Sequence, residues 1–418
     1  MTTDTKAIIH RTLAKESERP QALPSHRHEL RIFMVAGEHS GDALGGKLMA
    51  AINAATHGRV RYLGVGGDTM RAQGLVSQFP LTEVAVMGAA ILPRLPRIIK
   101  RVYGTVDAAI AAEPNAVVII DAPDFTHPIA KRIRRRRPDI PIIDYVSPSV
   151  WAWRPGRARR MRGYIDHVLG LLPFEPAAHL RLGGPPCTYV GHPLIEKLPW
   201  IQAVDPTPLA ARLGAAPDQP ILVVLPGSRR SEIDRLMAPF GETLTLLRRD
   251  GINPAVIIPV VSHLRPQIEE ALQSWPVTPL LVEGEEDKIR AFKLATAALA
   301  ASGTVTLELA LAGTPMVVGY KVDGLAAHAR HFITTPSIIL ANLVLGENAF
   351  PEFLQKHCLP SKMAEALVSL LSDTPERRAQ LDALSRVPGQ LALSDGTPSG
   401  VAASIVLRYA QGGRTLGK

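Results

Sequence analysis

Asp121 and Asp124 lie three residues apart, just past the apolar run Val117–Ile120. A carboxylate that ends a buried strand and faces a cleft is placed to serve as a general base. Asp121 ends the strand and is the stronger candidate, while Asp124 has the position of a helix N-cap. Pro123 stiffens the turn between them. Two other turns suit phosphate. Ile221–Leu225 runs into Pro226-Gly227-Ser228-Arg229, and Ala297–Ala301 runs into Ser302-Gly303-Thr304. Each opens a helix, where free backbone N–H groups and the helix dipole favour an anion. Arg229 adds a guanidinium fork that matches phosphate geometry. Glu308, one turn into the second helix, suits ribose hydroxyls. Together these groups predict a nucleoside diphosphate site. The sequence has no Asp-x-Asp pair, and its 13 His show no metal-binding spacing. No metal or other cofactor is therefore expected. The charge on a departing diphosphate would fall to backbone N–H groups, the helix dipole and Arg229.

Three further segments carry candidate contacts. The loop Gly37-Glu38-His39-Ser40-Gly41-Asp42 follows the first apolar strand, and its small residues allow close approach to a ligand; Glu38, Ser40, Gly41 and Asp42 are expected to line the cleft. The run Met87 to Arg101 mixes Met87, Ile91 and Leu92 with Arg94, Arg97, Lys100 and Arg101, a pattern suited to a membrane interface. The run Ser147 to Arg157 holds Trp151 and Trp153 beside several Arg, which suits a bilayer anchor or a wall for a sugar and its acyl chains. Stacking on nucleic acid is a rival reading of this cluster, but it leaves both phosphate turns unexplained, so no nucleic-acid partner is expected. The run Arg134–Arg137 reads as a solvated helix end.

The elements that must position these groups alternate strand and helix along nearly the whole chain, which argues for parallel sheets with crossover helices. One series of strands is expected at 30–36, 61–65, 116–120, 140–146, 167–171 and 188–190. A second is expected at 221–225, 255–260, 279–282, 297–301 and 316–320. The fold class is α/β, with two Rossmann-like domains facing across a cleft, the GT-B architecture, and C-terminal helices. The expected division is a disordered leader over 1–29, an acceptor and membrane-facing domain over 30–200, a donor domain over 201–372 and helices over 373–418. The segment Glu196–Pro220, with five Pro, would contain the linker. The last helices could pack back on the front domain or on a partner copy.

Composition narrows the function. The chain has 418 residues, a net charge of +9 and only two Cys, Cys187 and Cys358, which argues against a disulfide framework. Between Arg94 and Arg162 fifteen basic residues meet six acidic ones, so the whole charge excess lies in one window. A local basic face favours phosphates or anionic headgroups. No apolar stretch approaches the roughly 20 residues of a membrane span, and residues 1–29 lack an apolar signal core. A cytoplasmic chain is expected.

Nine segments carry a family resemblance, in order. They are Val35–Asp42, Ala85–Gly88, Ile120–Phe125, Tyr145–Arg154, Leu172–Glu175, Val190–Pro193, Leu225–Arg229, Ala301–Thr304 with Glu308, and Pro315–Tyr320. The chain resembles the lipid-A-disaccharide synthases, inverting GT-B glycosyltransferases of Gram-negative bacteria. The run Ser147-Pro-Ser-Val-Trp-Ala-Trp153 is the most specific of the nine. The resemblance implies transfer from UDP-2,3-diacylglucosamine to 2,3-diacylglucosamine 1-phosphate, giving a β-1,6-linked disaccharide 1-phosphate and UDP. It implies Asp121 as the essential carboxylate, Glu38 and Ser40 on the acceptor side, Arg229 on the UDP phosphates and Glu308 on the ribose. Asn342, with Pro351, Glu352 and Gln355, matches a run beside the nucleotide. The chain departs from the family at His39, where a smaller residue is usual, and at Ala341, where Pro is common. The implied location is peripheral, on the cytoplasmic face of the inner membrane, with a homodimer possible. A UDP-sugar 2-epimerase shares the architecture and is the alternative. Release of UDP that depends on a lipid acceptor separates the two.

Overall fold

The computed structural model describes residues 29–84, 95–322 and 335–414. Among these residues thirteen strands form two sheets, and every pairing between them is parallel. The front sheet contains β1 (Leu30–Ala36), β2 (Val60–Val65), β3 (Leu75–Ser77), β4 (Ala116–Ile120), β5 (Ile142–Tyr145), β6 (His167–Gly170) and β7 (Cys187–Tyr189). Their spatial order is β3-β2-β1-β4-β5-β6-β7. The back sheet contains β8 (Ile221–Leu225), β9 (Ala255–Pro259), β10 (Leu280–Val282), β11 (Ala297–Ala300), β12 (Met316–Tyr320) and β13 (Glu352–Leu354), ordered β10-β9-β8-β11-β12-β13.

The central strands are apolar on both faces because helices cover both faces. All five residues of β4 are buried, as are all four of β11. One face of the front sheet packs on His39–Thr56 and on the last helix, Pro398–Gly412; the other packs on Leu95–Ala111 and Pro123–Arg136. One face of the back sheet packs on Arg230–Arg249 and Pro360–Leu370, the other on Val305–Ala312 and Pro375–Leu391.

In each sheet the connections run outward in opposite directions from one neighbouring pair, β1/β4 in front and β8/β11 behind. Loops leaving such a pair diverge and open a crevice beyond the strand ends. The Gly37 loop follows β1 and Asp121 follows β4. The Gly227 turn follows β8 and the Gly303 turn follows β11. The topology therefore delivers all four predicted loops to the two crevices.

Edge strands β3 and β13 were not anticipated; each has three residues and no run of apolar residues to mark it. The segment 196–220 contains two short helices, Leu198–Ala203 and Thr207–Leu213. Pro199 and Pro208 stand in their first turns, where a missing N–H costs nothing. The Arg134–Arg137 run is more than a solvated helix end. Arg134 is buried and donates to the carbonyls of Pro138 and Ile140 and to Asp166. Asp166 also receives Arg414 at 2.7 Å, which ties the last helix to the front sheet.

Candidate active site

The front crevice is built around an unusual turn. Asp121 and Ala122 both have positive φ, at 53° and 44°. Two consecutive non-glycine residues in the left-handed region cost on the order of 1–3 kcal/mol each, so the surrounding structure must hold them there. The Asp121 N–H donates to the Tyr145 carbonyl of β5, and the Thr126 hydroxyl donates to the Asp121 carbonyl. The side chain is fixed as well. Oδ1 accepts from the Ala122 N–H at 2.8 Å, and Oδ2 accepts from the Ser40 hydroxyl at 3.0 Å. The two loops touch closely. A Cβ on Gly37 would lie 2.4 Å from the Ala122 Cβ, so only glycine lets β1's loop pass this turn.

Glu38 lies beside Asp121, and its carboxyl is raised above the usual carboxylate range. Burial is the main cause and the Asp121 charge adds to it; Arg229 of the back half pulls the other way. Asp121 and Arg229, from opposite halves, thus both act on the Glu38 carboxyl.

Four expected cleft or site residues do other work. Asp42 is buried and accepts from the backbone N–H groups of Gly67, Thr69 and Met70 at 2.7, 3.0 and 3.1 Å. It ties two loops together and does not line the cleft. Gly41 is buried against the Ile120 carbonyl. Asp124 extends into solvent in the first turn of its helix and pairs with Arg157 at 3.4 Å. Asn342 is buried; its amide donates to the Phe350 carbonyl and to Ser337, and its oxygen accepts from the Phe350 N–H. Its hydrogen bonds are spent on pinning the loop that returns to β13. Glu352 accepts from Ser337 and Ile338 in the same loop.

The back crevice is a cleft of about 630 Å³. Its lining includes Gly227, Ser228, Arg229, Ser302, Gly303, Thr304 and Glu308, and so joins both predicted turns. Gly227 has φ of 121° and packs against Glu232. The Ser228 N–H is not free, as the sequence suggested: it donates to Glu232 Oε2 at 2.9 Å, and Arg229 pairs with Oε1 of the same carboxylate at 3.1 Å. The Tyr320 hydroxyl completes this carboxylate's shell at 3.3 Å. At the second turn the Ser302 hydroxyl donates to the Ile338 carbonyl, and no side chain among the described residues caps the Val305–Ala312 helix. The N–H groups of Thr306, Leu307 and Glu308 donate to the Gly303 and Thr304 carbonyls, while Gly303, Thr304 and Val305 line the cleft at the helix start, where the dipole favours an anion. Both oxygens of Glu308 accept from Lys288 Nζ, at 3.0 and 3.1 Å. Glu232, Lys288 and the Val260–Ser262 wall also line the cleft. Lys288 and the wall carried no sequence signal, because they lie on other elements and meet the turns only in the fold.

Of the expected membrane-facing residues, Met87, Ile91, Leu92 and Arg94 lie outside the described residues. Arg97 and Lys100 are exposed on Leu95–Ala111, next to exposed Ile99 and Tyr103. Arg101 has a structural role instead, pairing with Glu83 at 2.7 Å and stacking over Phe79. Trp151 does not face outward. Its indole N–H donates to Glu175 at 3.2 Å, its ring meets Phe174 edge-on, and both rings pack against a cluster made mostly of back-half residues. A partly buried indole is best satisfied when its N–H finds a partner, and Glu175 supplies one. Trp153 is exposed, under the Arg154 guanidinium. No helix among the described residues is long and apolar enough to cross a membrane. Among the same residues, no group of three or more His, Cys, Asp or Glu is arranged to hold a metal ion.

Comparison with known proteins places the chain. The sequence model described as lipid-A-disaccharide synthetase matches residues 32–400. A lipid-A-disaccharide synthase of Nitrobacter hamburgensis is 53% identical over 379 residues, covering 90% of this chain and 95% of that protein. One from Bradyrhizobium diazoefficiens is 49% identical over 386 residues, covering 92% and 97%. Solved structures share the fold at low identity. A Staphylococcus aureus MnaA–UDP structure has a TM-score of 0.60 at 11% identity and covers 91% of this chain and 95% of that one. The calicheamicin glycosyltransferase CalG4 has a TM-score of 0.52 at 15% identity, covering 92% and 99%. The chain has the GT-B fold and belongs to the lipid-A-disaccharide synthetase family, the glycosyltransferase enzymes of lipid A biosynthesis.

Proposed function

We propose that the protein joins UDP-2,3-diacylglucosamine to 2,3-diacylglucosamine 1-phosphate with inversion, releasing UDP. The observation that carries this reading is a pair of built crevices: one holds Asp121, aimed by Ser40 and the Ala122 N–H, and the other gathers Arg229, Gly303 and Glu308 in one cleft. Brought around one space, a base and a phosphate-matching cation suit direct displacement at an anomeric carbon. The acceptor 6-hydroxyl gives its proton to Asp121, whose carboxylate is aimed by Ser40 and the Ala122 N–H. The oxygen forms the new bond to C1, and the C1–O bond to phosphate breaks with its electron pair leaving on UDP. The leaving charge falls to Arg229 and the N-terminus of Val305–Ala312, without a metal. Glu308 holds the ribose. Asp124, outside this space, takes no proton.

Both substrates carry acyl chains, so the enzyme works at a lipid surface. Ile99 and Tyr103, flanked by Arg97 and Lys100, supply an apolar face with a basic rim for the cytoplasmic leaflet.

The test is disaccharide formation by the purified protein from the two lipid substrates. Asp121→Ala is expected to lose about a hundredfold to ten-thousandfold in kcat while staying folded. Asp124→Ala is expected to stay within about threefold, as for an exposed surface pair. Substantial activity in folded Asp121→Ala would remove the base, and UDP release without a lipid acceptor would favour epimerase chemistry.

A further inference from the structure

Lys288 has no part in the reaction as described, yet it lines the donor cleft and holds both oxygens of Glu308. It stands on Glu285–Leu294, so its helix and the Glu308 helix close the cleft from two sides. The pair is mostly enclosed, with side-chain exposures of 25% and 15%. A second carboxylate on the cleft wall stands beside Lys288. Glu285, one turn back on the same helix, lies 4.0 Å from Nζ and is itself held by Lys197 at 2.6 Å.

A single ammonium spanning both oxygens fixes the carboxylate plane, because rotation would break one of the two contacts. Each oxygen keeps a further lone pair for an incoming donor. A vicinal pair of hydroxyls offers two O–H donors at matching spacing; a sugar lacking one of them leaves an oriented, partly buried acceptor unfilled.

From this geometry we propose that Lys288 is a positioning residue that sets the donor site's selectivity for a ribonucleotide over a deoxyribonucleotide, by aligning Glu308 toward the ribose hydroxyls. The proposal rests on the reading of Glu308 as the ribose contact, and the experiment keeps the two separable.

The measurement is the dissociation constant of UDP and of 2′-deoxy-UDP by calorimetry, for the full chain and three variants, with thermal melting of each. The unmodified protein is expected to prefer UDP by about tenfold or more, the scale of a hydrogen bond to a charged group. Glu308→Gln should bring the ratio to within about threefold. Lys288→Met should do the same, chiefly by weakening UDP while leaving 2′-deoxy-UDP little changed. Lys288→Arg, which keeps the charge and two donors, should restore most of the ratio. If Lys288→Met weakens both ligands equally, or preserves the ratio that Glu308→Gln abolishes, the positioning role is overturned. If Glu308→Gln preserves the ratio, the ribose assignment itself fails.

Discussion

Asp121 in the front half and Glu308 in the back half both stand just past a central parallel strand, at the point where the connections diverge. They are held in opposite ways. Asp121 is fixed through its backbone, by two residues with positive φ and two neutral hydrogen-bond donors. Its charge acts on another carboxylate, Glu38. Glu308 is held by a cation, and Arg229 nearby is held by an anion, Glu232. The difference suits the roles proposed for the two groups. A base that must accept a proton loses driving force when paired with a permanent cation, whereas a group that only binds gains order from one. Backbone strain and neutral donors can aim a carboxylate without neutralising it.

Three perturbations probe this contrast. The largest effect is expected from Gly37→Ala. The added Cβ meets Ala122 at 2.4 Å and must push the Asp121 turn aside. Overpacking of this kind costs about 1–3 kcal/mol, and here it also misaims the proposed base. Turnover should fall at least about tenfold, while the dissociation constant for UDP stays unchanged. Weaker UDP binding would mean that the front turn and the back cleft are not held independently.

Next is Glu175, at the joint where the halves meet. Burial pushes it up to about 7 from an ordinary 4.5, against the pull of the Leu172 and Trp151 N–H groups. Because its folded value lies above its unfolded one, its stabilising contribution is complete below about pH 4.5 and is lost as pH rises to about 7. That change is on the order of 3 kcal/mol. Glu175→Gln should flatten the slope of unfolding free energy between those limits, measured by denaturant titration. An unchanged slope would show that the joint does not depend on this proton.

The smallest effect is expected at Asn342. Asn342→Ala removes the partners of the Phe350 N–H and carbonyl and should cost about 1–3 kcal/mol of stability with UDP affinity retained. A selective loss of UDP affinity would return Asn342 to the donor site.

The two crevices were legible in the sequence because strand, turn and helix follow one another along the chain. The apolar runs before Asp121, Gly227 and Ser302 needed only local reading. What escaped was pairing at a distance. Asp42 and Asn342 have the residue types of a polar cleft, and only the fold shows their hydrogen bonds spent on backbone at Gly67 and Phe350. Trp151 sits in an Arg-rich run that suggested a lipid surface, but Glu175, its partner, lies 24 residues on and carries no local sign of burial. Arg134 looked like one of four equivalent arginines until Asp166 and two carbonyls claimed it. Lys288 lies 20 residues before Glu308 on a separate helix.

The last helix, Pro398–Gly412, carries a consequence for how the chain is made. Its residues Ala402 to Ala410 complete the core of the front sheet against Ile32, Met34, Ile120 and Leu169, and Tyr409 reaches His167. A ribosome finishes the seven front strands more than two hundred residues before it supplies their cover. Through that interval His39–Thr56 alone covers this face, and the part that Pro398–Gly412 completes lacks its partner while the back half is being synthesised. Early release, or cutting the chain between its halves, would strand that face. The front core is therefore complete only once Pro398–Gly412 has emerged.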